Sequence, residues 1–120
     1  MKRVLVVDDD PDILEVVELI LTGNGFNVRT HPTGFNVPEI VTSYDPNLIL
    51  LDIRLPGKSG TDICRDLKLL NLNLPIILFS AHAMREGEVN HCNADGFIKK
   101  PFEIKNLIGT IKLYLTDHAE

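Results

Sequence analysis

Residues 48–52 read LILLD. Four aliphatic side chains in unbroken succession leave no face of a strand for water. A half-exposed strand alternates apolar and polar positions, whereas a run apolar on both sides belongs to a strand covered on both faces, as in a parallel sheet between helices. The run is also too short to be a helix of its own. Its form recurs along the chain. Val4-Leu5-Val6-Val7 runs into Asp8, Pro75-Ile76-Ile77-Leu78-Phe79 runs into Ser80, and Phe97-Ile98 begins a strand stopped by Pro101. Phe26 to Thr30 predicts a weaker strand toward an edge of the sheet.

Helical patterns separate these runs. Ile13, Leu14, Val16, Val17, Ile20 and Leu21 share one helix face, and Gly23-Asn24-Gly25 supplies the residues a left-handed C-cap favours. A short second helix runs to about Tyr44 and starts late, because Pro38 fits only in a first turn. Ser59 with Asp62 forms a weak cap for a third helix carrying Ile63, Leu67 and Leu70. A poorly apolar helix is predicted over residues 83–93, and Ile104, Leu107, Ile108 and Ile111 mark the last one. Five β-then-α units predict an α/β fold: a five-stranded parallel sheet, doubly wound, with right-handed crossovers and helices on both faces.

The chain has 120 residues, 44% hydrophobic and 24% charged, enough for one core and one domain over residues 1–120. A formal net charge of −5 argues against direct nucleic-acid binding or an anionic membrane surface. MKRVLVV opens like a signal peptide, but its apolar run ends at Asp8, and no segment approaches a membrane span. Cys64 and Cys92 show no framework spacing and fit a reducing cytoplasm, with Cys64 in the core and Cys92 partly exposed.

In sheets of this kind, ligands bind outside the carboxyl ends of the strands. That rule selects Asp8 and Asp9 after strand 1, Asp52 after strand 3, Ser80 after strand 4, and Lys99-Lys100 after strand 5. Since strand side chains alternate, at most one of the two lysines points into the site. Three carboxylates and one lysine favour a bound cation, and an all-oxygen set with so few ligands suits Mg²⁺. An aspartate beside it can act as a nucleophile toward phosphorus, giving an acyl phosphate. Ordinary explanations cover part of the acid cluster. Asp10 before Pro11 reads as an N-cap and Asp12 as a first-turn acid, but Asp8 and Asp9 precede the cap. An EF-hand fails, because Ile13 stands where glycine is needed and Leu19 where glutamate is needed. His82, His91 and Cys92 match no usual zinc spacing.

Taken together, VLVVDDDPD, LILLDIRLPGKSG, ILFSA and GFIKKPF, in this order and with these separations, resemble the receiver domain of two-component response regulators across essentially the whole chain. The resemblance implies a flavodoxin-like strand order 2-1-3-4-5. It also implies that Asp52 is the phosphoacceptor, and that Asp8, Asp9, Asp52 and the Arg54 backbone carbonyl hold Mg²⁺. By the same resemblance, Ser80 hydrogen-bonds the phosphoryl group, Lys100 pairs with it and Lys99 is exposed. Phe97 takes the aromatic switch position, Arg54 and His82 tune dephosphorylation, and the Lys100–Pro101 bond is cis. The implied partners are a histidine kinase or phosphotransfer protein and a downstream protein the sequence does not identify. Two departures stand out. The Ser80–Lys100 spacing is a residue or two short, and FNVP (35–38) breaks the usual start of helix 2.

Two rival functions remain at this point. A Mg²⁺-dependent phosphohydrolase with an aspartyl nucleophile would need a second acid near Asp52, where Arg54 stands two residues on. A receiver-like interaction module without phosphorylation would be expected to have lost part of the acid set, which is complete here. Only Thr116 to Glu120 follow Leu115, so the chain is read as either a single-domain regulator or a receiver from a longer protein.

Overall fold

The computed structural model describes residues 1–71, 73–81 and 92–117. In chain order the described elements are β1 (Arg3–Val7), α1 (Pro11–Gly23), β2 (Asn27–His31), α2 (Val37–Tyr44), β3 (Leu48–Asp52), α3 (Gly60–Leu70), β4 (Ile76–Ser80), β5 (Gly96–Lys99) and α4 (Ile104–Asp117). The expected helix over 83–93 lies outside the described residues apart from its last two positions, and so does His82. All five strands are parallel, in the order β2-β1-β3-β4-β5. LILLD is the central strand, and all five of its residues are buried.

Alternation along the strands sorts the core into two halves. Val4, Val6, Leu48, Leu50, Ile77, Phe79 and Ile98 face α1 and α4, where Val17, Leu21, Leu107, Ile111 and Leu115 close over them. Leu5, Val7, Ile49, Leu51, Ile76 and Leu78 face α2 and α3, meeting Val37, Ile40, Ile63, Cys64 and Leu67. Each side chain so buried contributes roughly 1.5–3 kcal/mol relative to exposure. The sheet is therefore held from both sides.

The ends of α1 follow from local chemistry. The Asp10 carboxylate accepts from the Asp12 N–H at 2.9 Å and Pro11 occupies the first turn. The helix closes through Asn24 N–H to the Leu21 carbonyl at 3.0 Å, and Gly25 takes the left-handed conformation at φ 89°. Phe26 N–H also bonds the Leu21 carbonyl, at 3.1 Å. That bond makes Phe26 part of the turn, so β2 starts one residue later than expected and Phe26 is a core residue instead.

Three helical positions differ from the periodic reading. Val16 and Ile104 are exposed because each lies at the margin of its stripe, while Val17, Leu107 and Ile111 occupy its centre. Leu70 is exposed in the last turn of α3; Leu74, in the connection to β4, packs into the core in its place. Beside it Lys68 is almost fully buried, donating to the Leu74 carbonyl at 2.6 Å and pairing with Asp95 at 2.6 Å. Asp95 in turn accepts from the Ile76 N–H at 2.8 Å, so this ion pair joins α3 to the starts of β4 and β5.

Cys92 is fully buried, not partly exposed as its polar neighbours imply, because it packs beneath α3 against Cys64. The Cys64 thiol donates to the Cys92 carbonyl at 3.4 Å. Burial, and then the neighbouring Cys92, push the Cys64 thiol well above its ordinary range. Both thiols are buried away from a reagent, so both cysteines are expected to resist a disulfide reagent in the native protein at neutral pH and to react fully in guanidinium. Rapid labelling of either in the folded chain would contradict this burial.

Candidate phosphoacceptor site

Parallel pairing sets β1, β3, β4 and β5 side by side with their carboxyl ends at one edge, and Asp8, Asp52, Ser80 and Lys100 arrive there together. Asp8 and Asp52 are buried, Asp9 is exposed, and carboxylate oxygens of all three lie within 4.8 Å of one another. Lys100 Nζ lies 2.5 Å from Asp8 Oδ2 and 3.5 Å from Asp52 Oδ2. Lys99 is exposed, as alternation requires of one member of the pair. The Lys100–Pro101 peptide bond is cis.

The two buried acids are oriented by backbone. Asp8 Oδ1 accepts from the Asp10 N–H at 2.9 Å, so the start of α1 aims the carboxylate. Asp52 Oδ1 accepts a longer bond, 3.4 Å, from the Arg54 N–H. Ser80 is buried at the end of β4, one residue beyond the partner of Asp52, and its carbonyl accepts from the Lys100 N–H at 2.9 Å. Phe97 is half-buried against the α2/α3 side of the core. The Arg54 side chain is exposed.

Two residues that shape the site escaped the sequence reading. Lys100 Nζ sits 4.5 Å from the centroid of the Phe79 ring, itself packed on Phe102 at 5.5 Å. A cation over an aromatic face is attracted by the ring quadrupole, so Phe79 helps hold the ammonium over the acids. The signal was its place immediately before Ser80, but a core phenylalanine is indistinguishable from a platform in sequence. Gly60 is the other. A β-carbon there would lie 2.0 Å from the Asp52 carbonyl oxygen, so only glycine lets α3 start against the backbone of Asp52.

Electrostatics at this edge are unbalanced. Burial raises the Asp52 pKa above the usual carboxylate value, Asp8 raises it further, and Lys100 with the backbone N–H groups only partly offsets this. Three acids and one lysine leave a formal charge near −2, so the donor set fits a hard divalent cation with oxygen ligands. A raised native pKa means that Asp52 ionises at a cost to the fold. Its contribution to stability is full below the ordinary aspartate pKa and is lost as pH rises through the elevated native value. Asp52→Asn is therefore expected to raise Tm at neutral pH in a chelator, with the advantage shrinking toward zero below about pH 4. An advantage that persists undiminished in acid would show another cause.

Strand order and edge chemistry together define a doubly wound α/β domain with an acid-and-lysine site at the carboxyl edge of its sheet. The chain belongs to the response regulator receiver domain family, whose sequence model matches residues 4–112. It is 34% identical over 116 residues to the DNA-binding response regulator MtrA of Mycolicibacterium smegmatis, covering 95% of this chain and 50% of that protein. The chain thus spans about half the length of this relative. Among solved structures it resembles a CheY-like response regulator receiver domain protein from Methanospirillum hungatei, with TM-score 0.92, 30% identity and coverage of 98% and 95% of the two chains. It also resembles the response regulator TrrA of Thermotoga maritima in complex with Mg(2+)-BeF, with TM-score 0.88, 30% identity and coverage of 95% and 99%. The fold is accordingly CheY-like, and the chain is a signalling receiver domain of the two-component type. No helix among the described residues is long and apolar enough to cross a membrane.

Proposed function

We propose that residues 1–120 form one receiver unit that takes a phosphoryl group onto Asp52 from the phosphohistidine of a histidine kinase or phosphotransfer protein. The observation that carries this is the placement of Lys100 between Asp8 and Asp52 in a three-carboxylate cluster at the sheet edge. An Asp52 carboxylate oxygen attacks phosphorus, the P–N bond to the imidazole breaks, and an aspartyl phosphate forms with free histidine as leaving group. The backbone N–H of Arg54 and the N-terminus of α1 hold the two acids in place for that geometry.

Asp8, Asp9, Asp52 and the Arg54 carbonyl are the proposed holders of Mg²⁺, which when bound supplies positive charge for the phosphoryl oxygens. The TrrA complex supports this reading, as does the charge deficit of the acid cluster. Lys100 is assigned to pair with the phosphoryl group and Ser80 to donate a hydrogen bond to it. That coupling would bias Phe97 and the loop after β4 toward the signalling arrangement. Arg54 and His82 are assigned to water access during hydrolysis of the acyl phosphate, which resets the switch. The proposed setting is the cytoplasm, where the two free thiols stay reduced.

The test is incubation with Mg²⁺ and acetyl phosphate followed by intact mass. A single phosphoryl adduct that is absent from Asp52→Asn is expected. An adduct that survives this substitution, or none from acetyl phosphate or any histidine kinase, would remove the assignment.

A further inference from the structure

Asp52 is joined to α3 by residues 53–59, and the structure clamps this segment at both ends. Its inner end is crimped onto the acceptor strand. Gly60 N–H bonds the Ile53 carbonyl at 2.7 Å, and Gly60 lies against the Asp52 carbonyl. Its outer bulge is held by a different part of the chain, the connection between β2 and α2. Gly34 N–H bonds the Pro56 carbonyl at 3.0 Å, and a β-carbon on Gly34 would lie 2.5 Å from the Lys58 carbonyl. One residue on, the Phe35 ring seats on Gly57. A β-carbon at Gly57 would meet three ring atoms at 2.6, 2.7 and 2.8 Å, and Gly57 has φ 92°.

A single exposed phenylalanine requires no explanation, and Phe35 is 59% exposed. What sets it apart is how it is held. Its N–H donates to Thr33 Oγ1 at 3.1 Å, its carbonyl lies 2.7 Å from His31 Nε2, and Asn36 after it is left-handed at φ 62°. The FNVP departure at the start of α2 thus has a structural counterpart: the backbone turns so that the ring falls on the acceptor loop.

We propose that Phe35 is a positioning residue for the acceptor site. By pressing on Gly57 it keeps residues 53–59 in the conformation that presents the Arg54 carbonyl to the cation. This rests on the proposed role of Arg54 and Asp52. Asp52 itself is held by its register in β3 and by the Gly60 N–H bond to the Ile53 carbonyl beside it, so the effect of Phe35 falls on cation affinity and leaves the transfer step intact once the cation is bound.

The experiment measures Mg²⁺ binding by calorimetry and acetyl phosphate uptake as a function of Mg²⁺, for wild type, Phe35→Ala and Phe35→Met. Melting in a chelator is measured alongside. Loss of an outer support of a metal site typically weakens affinity about tenfold or more. Phe35→Ala should therefore raise the half-saturating Mg²⁺ about tenfold with an unchanged uptake rate at saturation. Phe35→Met, long enough to reach Gly57, should fall close to wild type, and Tm in chelator should hardly move because the ring is mostly exposed. An unchanged half-saturation in Phe35→Ala would overturn the proposal. So would equal losses in both variants accompanied by a fall in Tm, which would mark a purely structural role. A wild type that binds Mg²⁺ but takes up no phosphoryl group would refute the acceptor reading, while the calorimetric comparison would still decide the role of Phe35.

Discussion

Lys100→Met is expected to slow phosphoryl uptake about 100-fold, in line with the loss of one preorganised charge-stabilising group, while tightening Mg²⁺ binding. The two effects have opposite signs for one reason. With its ammonium 2.5 Å from Asp8 and 3.5 Å from Asp52, Lys100 occupies oxygens that a cation would also use. Unit charges about 4 Å apart interact by roughly 4 kcal/mol at an effective dielectric near 20. Removing one positive charge therefore leaves the acids more attractive to Mg²⁺, by at least about tenfold after allowance for movement of the flexible side chain. The same ammonium is the one of the Lys99-Lys100 pair that reaches the acids, since Lys99 is exposed. Methionine preserves the packing on Phe79 and removes the charge alone. Calorimetric titration with Mg²⁺ and the time course of adduct formation by intact mass separate the two effects. A joint fall in affinity and rate would mean that Lys100 chiefly holds the carboxylates in place.

The parts of this arrangement visible in the sequence are those that depend on residue type and short-range period. LILLD could only be a strand buried on both faces, and Asp8, Asp9, Asp52, Ser80 and the Lys99-Lys100 pair were visible because they stand where apolar runs end, while the choice of Lys100 within the pair came from the family resemblance. The N-cap role of Asp10 was legible for the same reason: the proline after it leaves few other conformations. What was hidden depends on contacts between distant segments. Nothing near Lys68 announces that its ammonium will be buried against Asp95, because the pairing requires α3 and the start of β5 to meet. Cys92 looked exposed because the residues before it are polar, yet its own position faces the core under α3. The Phe35–Gly57 contact spans two loops, and loops carry no period from which to infer a neighbour. Boundaries of the hydrophobic stripes failed at Val16, Leu70 and Ile104, where an apolar residue sits at a helix margin and periodicity cannot say which side of the margin is wet.

Gly60→Ala is expected to be the most damaging single methyl among the described glycines, costing at least about 3 kcal/mol, at the upper end of what overpacking does. Alanine is ordinarily the better helix residue, and at Gly109 of α4, where a β-carbon would meet nothing within 4 Å, it should stabilise by about 0.5–1 kcal/mol. At Gly60 the same methyl would stand 2.0 Å from the Asp52 carbonyl oxygen and 2.8 Å from Ile53 Cα, both backbone atoms with no rotamer to escape into. Either α3 withdraws, breaking the 2.7 Å bond from Gly60 N–H to the Ile53 carbonyl, or the end of β3 is displaced with Asp52 on it. The Ser59 cap, which accepts from the Asp62 N–H at 3.3 Å, would move with the helix in the first case. In the second Asp52 leaves its register with Phe79. A displacement near 1 Å at a reacting group can cost about 100-fold in rate, so surviving folded protein should also be a poor phosphoacceptor. Chemical denaturation of Gly60→Ala and Gly109→Ala beside wild type reads the stability difference, and adduct formation in Gly60→Ala reads the displacement. Similar stabilities for the two variants would mean that α3 and β3 can separate freely, and that the close approach of helix and strand does not hold Asp52 in place.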